Sequence, residues 1–170
     1  MNFVCSICGK KHHGLPFDIA FAKPGAYFSV PPRQRDSLCG LSTDTCVIDG
    51  RRFFIRGCLY VPVRATRRSF GWGFWAEVSG RTFKRYLELY DADASSERPY
   101  PGTLSVEDGA HENYERLDGL RVSIQFGRAD KRPTFTLRPS RHLLYREQRD
   151  GITQRRHHEI IEPLLRDDSG

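Results

Sequence analysis

Apolar and polar residues alternate with period two along several stretches of this chain. Phe70, Trp72, Phe74, Ala76 and Val78 fall on one face of a strand, because successive strand side chains point to opposite sides. Gly71 and Gly73 fall on the other face, where a second backbone can approach closely. Leu120, Val122, Ile124 and Phe126 alternate in the same way, and so does Thr134-Phe135-Thr136-Leu137. Residues 127–133 between those two runs predict an exposed basic loop joining antiparallel neighbours. Asp49-Gly50, set between Cys46-Val47-Ile48 and Arg52-Phe53-Phe54-Ile55, is a hairpin signal. Leu59, Val61 and Val63 extend the alternation, with Pro62 suited to a strand end or edge. Residues 103–106 predict one further short strand.

Helical spacing is confined to fewer places. Ser79 is a candidate N-cap. Phe83, Tyr86, Leu87 and Tyr90 then recur at i, i+3, i+4 and i+7, which predicts one buried helix face. Ser140 is placed to cap a short helix through Gln148, stopped at Asp150-Gly151. Thr153 is placed to cap a last helix whose apolar side is Ile160, Ile161, Leu164 and Leu165, with Pro163 limiting its regularity. Residues 14–40 carry Pro16, Pro24, Pro31 and Pro32 and exclude long helices, leaving room for one helical turn over 17–22. The pattern predicts one α+β domain over 1–170, with a mostly antiparallel sheet and a few helices. Within it, 1–16 is a zinc-knuckle-like segment, 17–44 is loop-rich, 45–139 holds the sheet with one helix, and 140–166 holds the C-terminal helices.

Composition narrows the class. A chain of 170 residues buries roughly 70% of its unfolded surface, enough for an ordinary core. No apolar run is long enough to cross a membrane, and the N-terminus lacks the basic-then-apolar order of an export signal. The expectation is a cytoplasmic protein, and five cysteines, an odd count, argue against a pure disulfide framework. The net charge of +6 is uneven. Residues 88–118 hold nine acidic and two basic side chains, whereas residues 128–156 hold nine basic and three acidic. The simpler reading is neutralisation across one surface; the sharper one is a basic face for a polyanion.

The chemistry-bearing motif is Cys5-Ser6-Ile7-Cys8-Gly9-Lys10-Lys11-His12-His13. A Cys-x-x-Cys step gives one metal ion two thiolates from a single turn, and Gly9 lets the backbone fold back. Two more ligands close a tetrahedral site. The expected set is Cys5, Cys8, His12 and Cys46, with Cys39 as the alternative ligand, holding structural zinc. Cys58, amid Ile55, Leu59 and Val61, reads as a small buried hydrophobe.

The order of several strings resembles a bacterial family, domain of unknown function 2199. They are Cys5-x-x-Cys8-Gly9-x-x-His12-x-Gly14-Leu15-Pro16, Asp44-x-Cys46-Val47-Ile48-Asp49-Gly50, Phe53-Phe54-Ile55-Arg56-Gly57, Trp72-Gly73-x-Trp75, Arg132-Pro133, and His142 with Gln148-Arg149-x-Gly151-Ile152. The resemblance implies one compact bacterial domain of unassigned biochemistry.

Polar residues on those strings make a second constellation: Asp44, Arg56, His142, Gln148 and Arg149. Gathered in one cleft they would bind an anionic group, with His142 titrating near neutrality. Kept apart they would be an ion pair and a helix-capping histidine. Aromatics beside arginines are a third constellation. Trp75 and Phe53, on the face opposite Trp72, are the candidates for stacking on unpaired bases. The pair His157-His158 reads as a solvated helix face. Three functional expectations follow in order: a zinc-stabilised binding or interaction module, with a protein among its candidate partners; a small enzyme built around Arg56 and His142; and a weak, non-specific nucleic-acid binder.

Overall fold

The structure, a computed structural model, describes residues 3–5, 9–12 and 14–167, without the side chains of residues 3, 12, 166 and 167. Strands β1 (Phe3–Val4) and β2 (Lys11–His12) pair as an N-terminal hairpin. The proline-rich stretch forms β3 (Asp18–Ala20), α1 (Gly25–Ser29), a 3-10 turn (Pro32–Gln34), α2 (Arg35–Leu38) and β4 (Cys39–Leu41). Next come β5 (Thr45–Ile48), β6 (Arg52–Pro62), β7 (Ser69–Val78) and α3 (Gly80–Glu88). The chain ends with β8 (Tyr100–Leu104), β9 (Arg121–Gln125), β10 (Thr134–Leu137), α4 (Leu143–Asp150) and α5 (Gln154–Asp167).

Strands β6 to β10 run up and down in order, each antiparallel to the last, and β10 then pairs with β6 to close a five-stranded barrel. With an odd number of strands in such a meander, the first and last point the same way, so the closing pair must be parallel. The α+β class stands, and the sheet expected as mostly antiparallel is corrected to a barrel that closes through a parallel pair. A second parallel pair, β3 on β7, extends the wall. Residues 17–22, expected as a helical turn, supply β3 instead. An added Cβ at Gly73 would lie 2.6 Å from the Ala20 Cβ, so the bare face of β7 is what admits β3.

The alternating face of β7 fills the main core as its spacing requires: Phe70, Trp72, Phe74, Ala76 and Val78 all lie there with Ile55, Leu59, Ile124 and Phe135. Helix α3 covers one end of the barrel with Phe83 and Tyr86, which meet Phe53 and Phe126 at 5.2 and 5.4 Å between rings. Leu144 of α4 and Ile160 and Ile161 of α5 bury their side chains in the same core. The seam is tight at Gly57, where an added Cβ would lie 2.4 Å from the Phe135 ring and 2.7 Å from the Pro133 carbonyl.

A second core lies on the outer side of β6 and β7, where residues 21–39 fold over the wall. It holds Val30, Cys46, Ile48, Phe54 and Trp75. Trp75 is fully buried, and its Nε1 donates to the Phe21 carbonyl at 2.8 Å. This corrects the expectation that Trp75 and Phe53 stand on a free face, since Phe53 packs on Phe83. The His157-His158 pair is also corrected. Both are buried, and His157 Nε2 is 2.7 Å from the Pro16 carbonyl, with its ring between Phe17 and Phe70. Cys58 is corrected too: Leu59 turns inward, so its neighbour Cys58 turns outward and is only half-buried.

The capping signals are partly as expected. Ser79 Oγ accepts from Thr82 N at 3.1 Å, and Thr153 Oγ1 accepts from Arg156 N at 3.0 Å. Helix α4, however, is capped by His142, whose Nδ1 accepts from Leu144 N at 3.0 Å, and not by Ser140. No helix among the described residues is long and apolar enough to cross a membrane.

Candidate functional site

Four segments meet around a cleft of about 480 Å3. They are the turn before β5, the outer face of β6, the C-terminal end of α3 with the residues after it, and the β9–β10 loop. The turn is fixed locally, because Ser42 Oγ accepts from Thr45 N at 3.0 Å and Ser42 N donates to the Thr45 carbonyl at 2.8 Å. Asp44 is thereby held at the cleft wall, with its carbonyl accepting from Arg56 N at 2.9 Å.

Asp44 is the hub of the polar wall. Its Oδ2 accepts from the Tyr90 hydroxyl at 2.5 Å, and its Oδ1 accepts from Arg132 Nε at 2.9 Å. Tyr90 belongs to the predicted apolar face of α3, but the helix ends at Glu88, and Tyr90 and Leu87 are exposed while Phe83 and Tyr86 are buried. Burial pulls the Asp44 carboxyl upward; the bonds from Tyr90 and Arg132 and the charges of Arg132 and Arg56 outweigh it and hold it below the usual carboxylate value. Burial, then the Asp44 and Tyr90 charges, push the Tyr86 hydroxyl up. The bond to Asp44 raises Arg132.

Arg56 stands behind this hub. Its Nη1 donates to the Thr43 carbonyl at 3.3 Å, its guanidinium lies 5.8 Å over the Trp75 ring, and its Nε is buried without a hydrogen-bond partner. Burial, then the nearby Arg132 charge, lower its pKa. Two guanidiniums therefore face one carboxylate. The loop adds Arg128 and Lys131, and Leu89, Phe126 and Pro133 line the apolar side.

The expected polar constellation divides. Asp44 and Arg56 come together; His142, Gln148 and Arg149 lie on and before α4, which packs on β6 and β10. His142 Nε2 donates to the Glu115 carbonyl at 2.6 Å while its Nδ1 caps α4, so both ring nitrogens serve the backbone. Gln148 ties α4 to the barrel, accepting from Leu137 N at 2.8 Å and donating to the Phe135 carbonyl at 3.0 Å. Arg149 pairs with the adjacent Asp150 at 2.8 Å on the surface. A single pocket around Arg56 and His142 is thus corrected to two places. His142 lines a separate cavity of about 570 Å3 with Tyr114 and Arg116. There the Tyr114 hydroxyl donates to Glu147, and Arg156 bridges Glu147 at 2.7 Å and Asn113 at 2.8 Å. Those groups are spent on anchoring α4 and α5.

The described cysteines are carried by the N-terminal hairpin, the second core and β6. The N-terminal hairpin closes through Cys5 N to the Lys10 carbonyl at 2.7 Å and Gly9 N to the Cys5 carbonyl at 2.8 Å, with Gly9 at φ +72°. Cys5 is buried. Cys46 lies with Cys39 in the second core, and burial, then Cys39, push its thiol up to about 11. Among the described residues, no three His, Cys, Asp or Glu side chains are grouped to hold a metal. Cys8, His13 and the His12 side chain lie outside the described residues.

Arg132, Tyr90, Tyr86, Lys131 and Cys58 were not in the expected site. The sequence did carry one pointer, the Arg132-Pro133 string at the end of the basic loop. Tyr90 gave none, because helical spacing assigns it to the core.

No curated protein and no solved structure matches the chain. A family model described as an uncharacterized protein conserved in bacteria (DUF2199) matches residues 4–152. Over that span, which includes the barrel, the Asp44–Arg132 cleft and the α4 anchor, the chain belongs to the DUF2199 family.

Proposed function

We propose that this protein is a binding module that seats a small molecule in the cleft between α3 and the β9–β10 loop. The observation that carries this reading is the cleft itself. At about 480 Å3 it is in the size range of small-molecule sites, ~300–1,000 Å3. It combines an apolar wall with a few converging polar groups, the usual make-up of such sites. Asp44, Tyr86, Tyr90 and Arg132 all have their titrations pushed away from neutrality. Groups held that firmly in one protonation state suit recognition better than proton transfer, which works best with a pKa near the operating pH. The reading therefore favours binding over acid–base catalysis at this cleft. A fragment library followed through backbone amide resonances tests it. Shifts should cluster at residues 44, 89–94 and 127–133, and Ala92→Trp, which fills the exposed mouth of the cleft, should abolish them. Shifts gathered elsewhere, or untouched by Ala92→Trp, would refute it.

A structural zinc ion is the second reading, favoured by the closed N-terminal hairpin. Its Cys5 and Gly9 backbone bonds give the fold-back on which a Cys-x-x-Cys step presents two thiolates. Cys5 and Cys8 would supply the first two ligands, with His12 and Cys46, or Cys39, proposed as the others. Such a site would brace the N-terminal segment and supply no reaction. Elemental analysis of the purified chain tests it, one zinc per chain being the expected result.

A further inference from the structure

The charge balance of the cleft says what kind of molecule it takes. Asp44 is one carboxylate, with its two oxygens already committed to Tyr90 and Arg132. Arg56 and Arg132 are two guanidiniums close enough for each to feel the other's charge. Lys131 makes no ion pair among the described residues, and Arg128 reaches Asp130 only at 3.8 Å with both side chains largely exposed. An exposed pair at that separation neutralises little. Asp130 also lines the cleft, and Asp91 and Asp93 flank its Ala92, Asp93 near enough to feel the charge of Arg128. The unspent positive charge is therefore local, on the Arg132–Lys131 wall of a concave space where low-dielectric walls focus the field. Arg132 spends Nε on Asp44, and its terminal nitrogens make no hydrogen bond among the described residues. A guanidinium with its fork open matches the two oxygens of a carboxylate or phosphate. The same cleft is lined by Leu89, Phe126, Pro133 and the ring of Tyr86, which offer apolar surface.

We propose that the cleft takes an oxyanion, a carboxylate or a phosphate monoester, carried on a flat apolar body. Arg132, Lys131 and Arg128 hold the charge, and Tyr86, Leu89 and Phe126 wall the body. The inference rests on the cleft being the binding site, and it adds the ligand's chemical class. Asp44 then has a defined part: it orients Arg132 and, by its own negative charge, limits how tightly an anion is held.

Calorimetric titration of the full chain at low ionic strength tests this with a matched series: 2-naphthoate, 2-naphthyl phosphate, the neutral 2-naphthamide and inorganic phosphate. Both naphthyl anions should bind, and both should bind at least about tenfold more tightly than the amide, the worth of one charge-assisted bond. Which of the two is tighter separates carboxylate from phosphate recognition. Inorganic phosphate should be weakest of the anions, because it lacks the apolar body. Arg132→Gln should weaken the naphthyl anions about tenfold and leave the amide unchanged. Asp44→Asn should tighten them, and Arg138→Gln, an exposed arginine outside the cleft, should change nothing. If Asp44→Asn does not fold, Lys131→Gln replaces it, with weakening expected. Equal binding of amide and anions at the cleft would overturn the anion inference while leaving the small-molecule reading intact. Anion binding that ignores Arg132→Gln, or no binding by any of the four at millimolar concentration, would overturn the inference as well.

Discussion

Asp44 and Arg132, 88 residues apart in the chain, meet at 2.9 Å and join the turn before β5 to the loop that leads into the barrel's closing strand. Tyr90 binds the other oxygen of the same carboxylate, so one side chain ties three segments together. The pair is partly exposed, Arg132 at 40% and Asp44 at 19% of the side-chain surface, so solvent screens it. Asp44→Ala removes both bonds and leaves Arg56 facing Arg132 with nothing between. It should cost about 1–2 kcal/mol in urea unfolding, more than an isolated surface pair. Loss of less than half a kcal/mol would mean that Arg56 and Arg132 do not share this carboxylate.

Gly57 should tolerate no side chain. Its missing Cβ faces the Phe135 ring at 2.4 Å and the Pro133 carbonyl at 2.7 Å, and a carbonyl fixed in the barrel seam cannot step aside. Gly57→Ala should destabilise by at least about 2 kcal/mol, in the range of overpacked cores. Gly40→Ala, with nothing within 4 Å of the new atom, is the control and should be nearly silent. Equal melting temperatures for the two variants would contradict the barrel closure.

Acid should act in two separate windows. His111 and His157 are buried and hold carbonyls of Ile160 and Pro16, and burial lowers both pKa values despite those bonds. In the unfolded chain they bind protons near the ordinary value of ~6.5, before the folded chain does. Their contribution is full above that value and is lost as pH falls below it, toward their folded values. The lowered carboxyls act later. Glu97, bonded to Arg85 and Tyr100 and held down to about 2, keeps its contribution until pH falls below the ordinary glutamate value, and Asp44 likewise below the aspartate value. Unfolding free energy should therefore decline as pH falls below about 6.5, and decline further below about pH 4. His157→Gln should flatten the first decline. A flat profile down to pH 4.5 would show that the two histidines are not buried neutral.

Metal content is the fourth expectation. Cys5→Ser and Cys8→Ser should each release the zinc, and chelator should lower the melting temperature of the natural chain while the barrel core keeps it folded. Protein purified without zinc, with a chelator-indifferent melt, would remove the ion from the account.

Local features were legible in the sequence and closure was not. The alternation of β7, the Asp49-Gly50 turn, the strands of β9 and β10 and the Ser79 cap all follow from spacing within a few residues. Parallel pairing of β10 with β6 depends on contacts across the whole barrel and leaves no local mark. Trp75 looked free because its strand alternates, but residues 21–39 cover that side and bury it with Cys46. For the same reason His157 and His158 read as surface: the partner of His157, the Pro16 carbonyl, is backbone from the far end of the chain. Of the polar residues that the sequence picks out, Asp44 and Arg56 lie together, Arg56 N donating to the Asp44 carbonyl. His142 and Gln148 drew attention as polar residues, yet their bonds are to backbone and serve the fold.

The central claim is that the cleft beside Asp44 and Arg132 holds a small molecule. Crystals of the natural chain soaked in 2-naphthoate test it most directly. The account predicts the ligand between Arg132 and the Leu89–Tyr90 segment, its carboxylate on the guanidinium and its rings against Phe126. Ligand found only in the cavity beside His142 and Tyr114, or an empty cleft at saturating concentration, would contradict it.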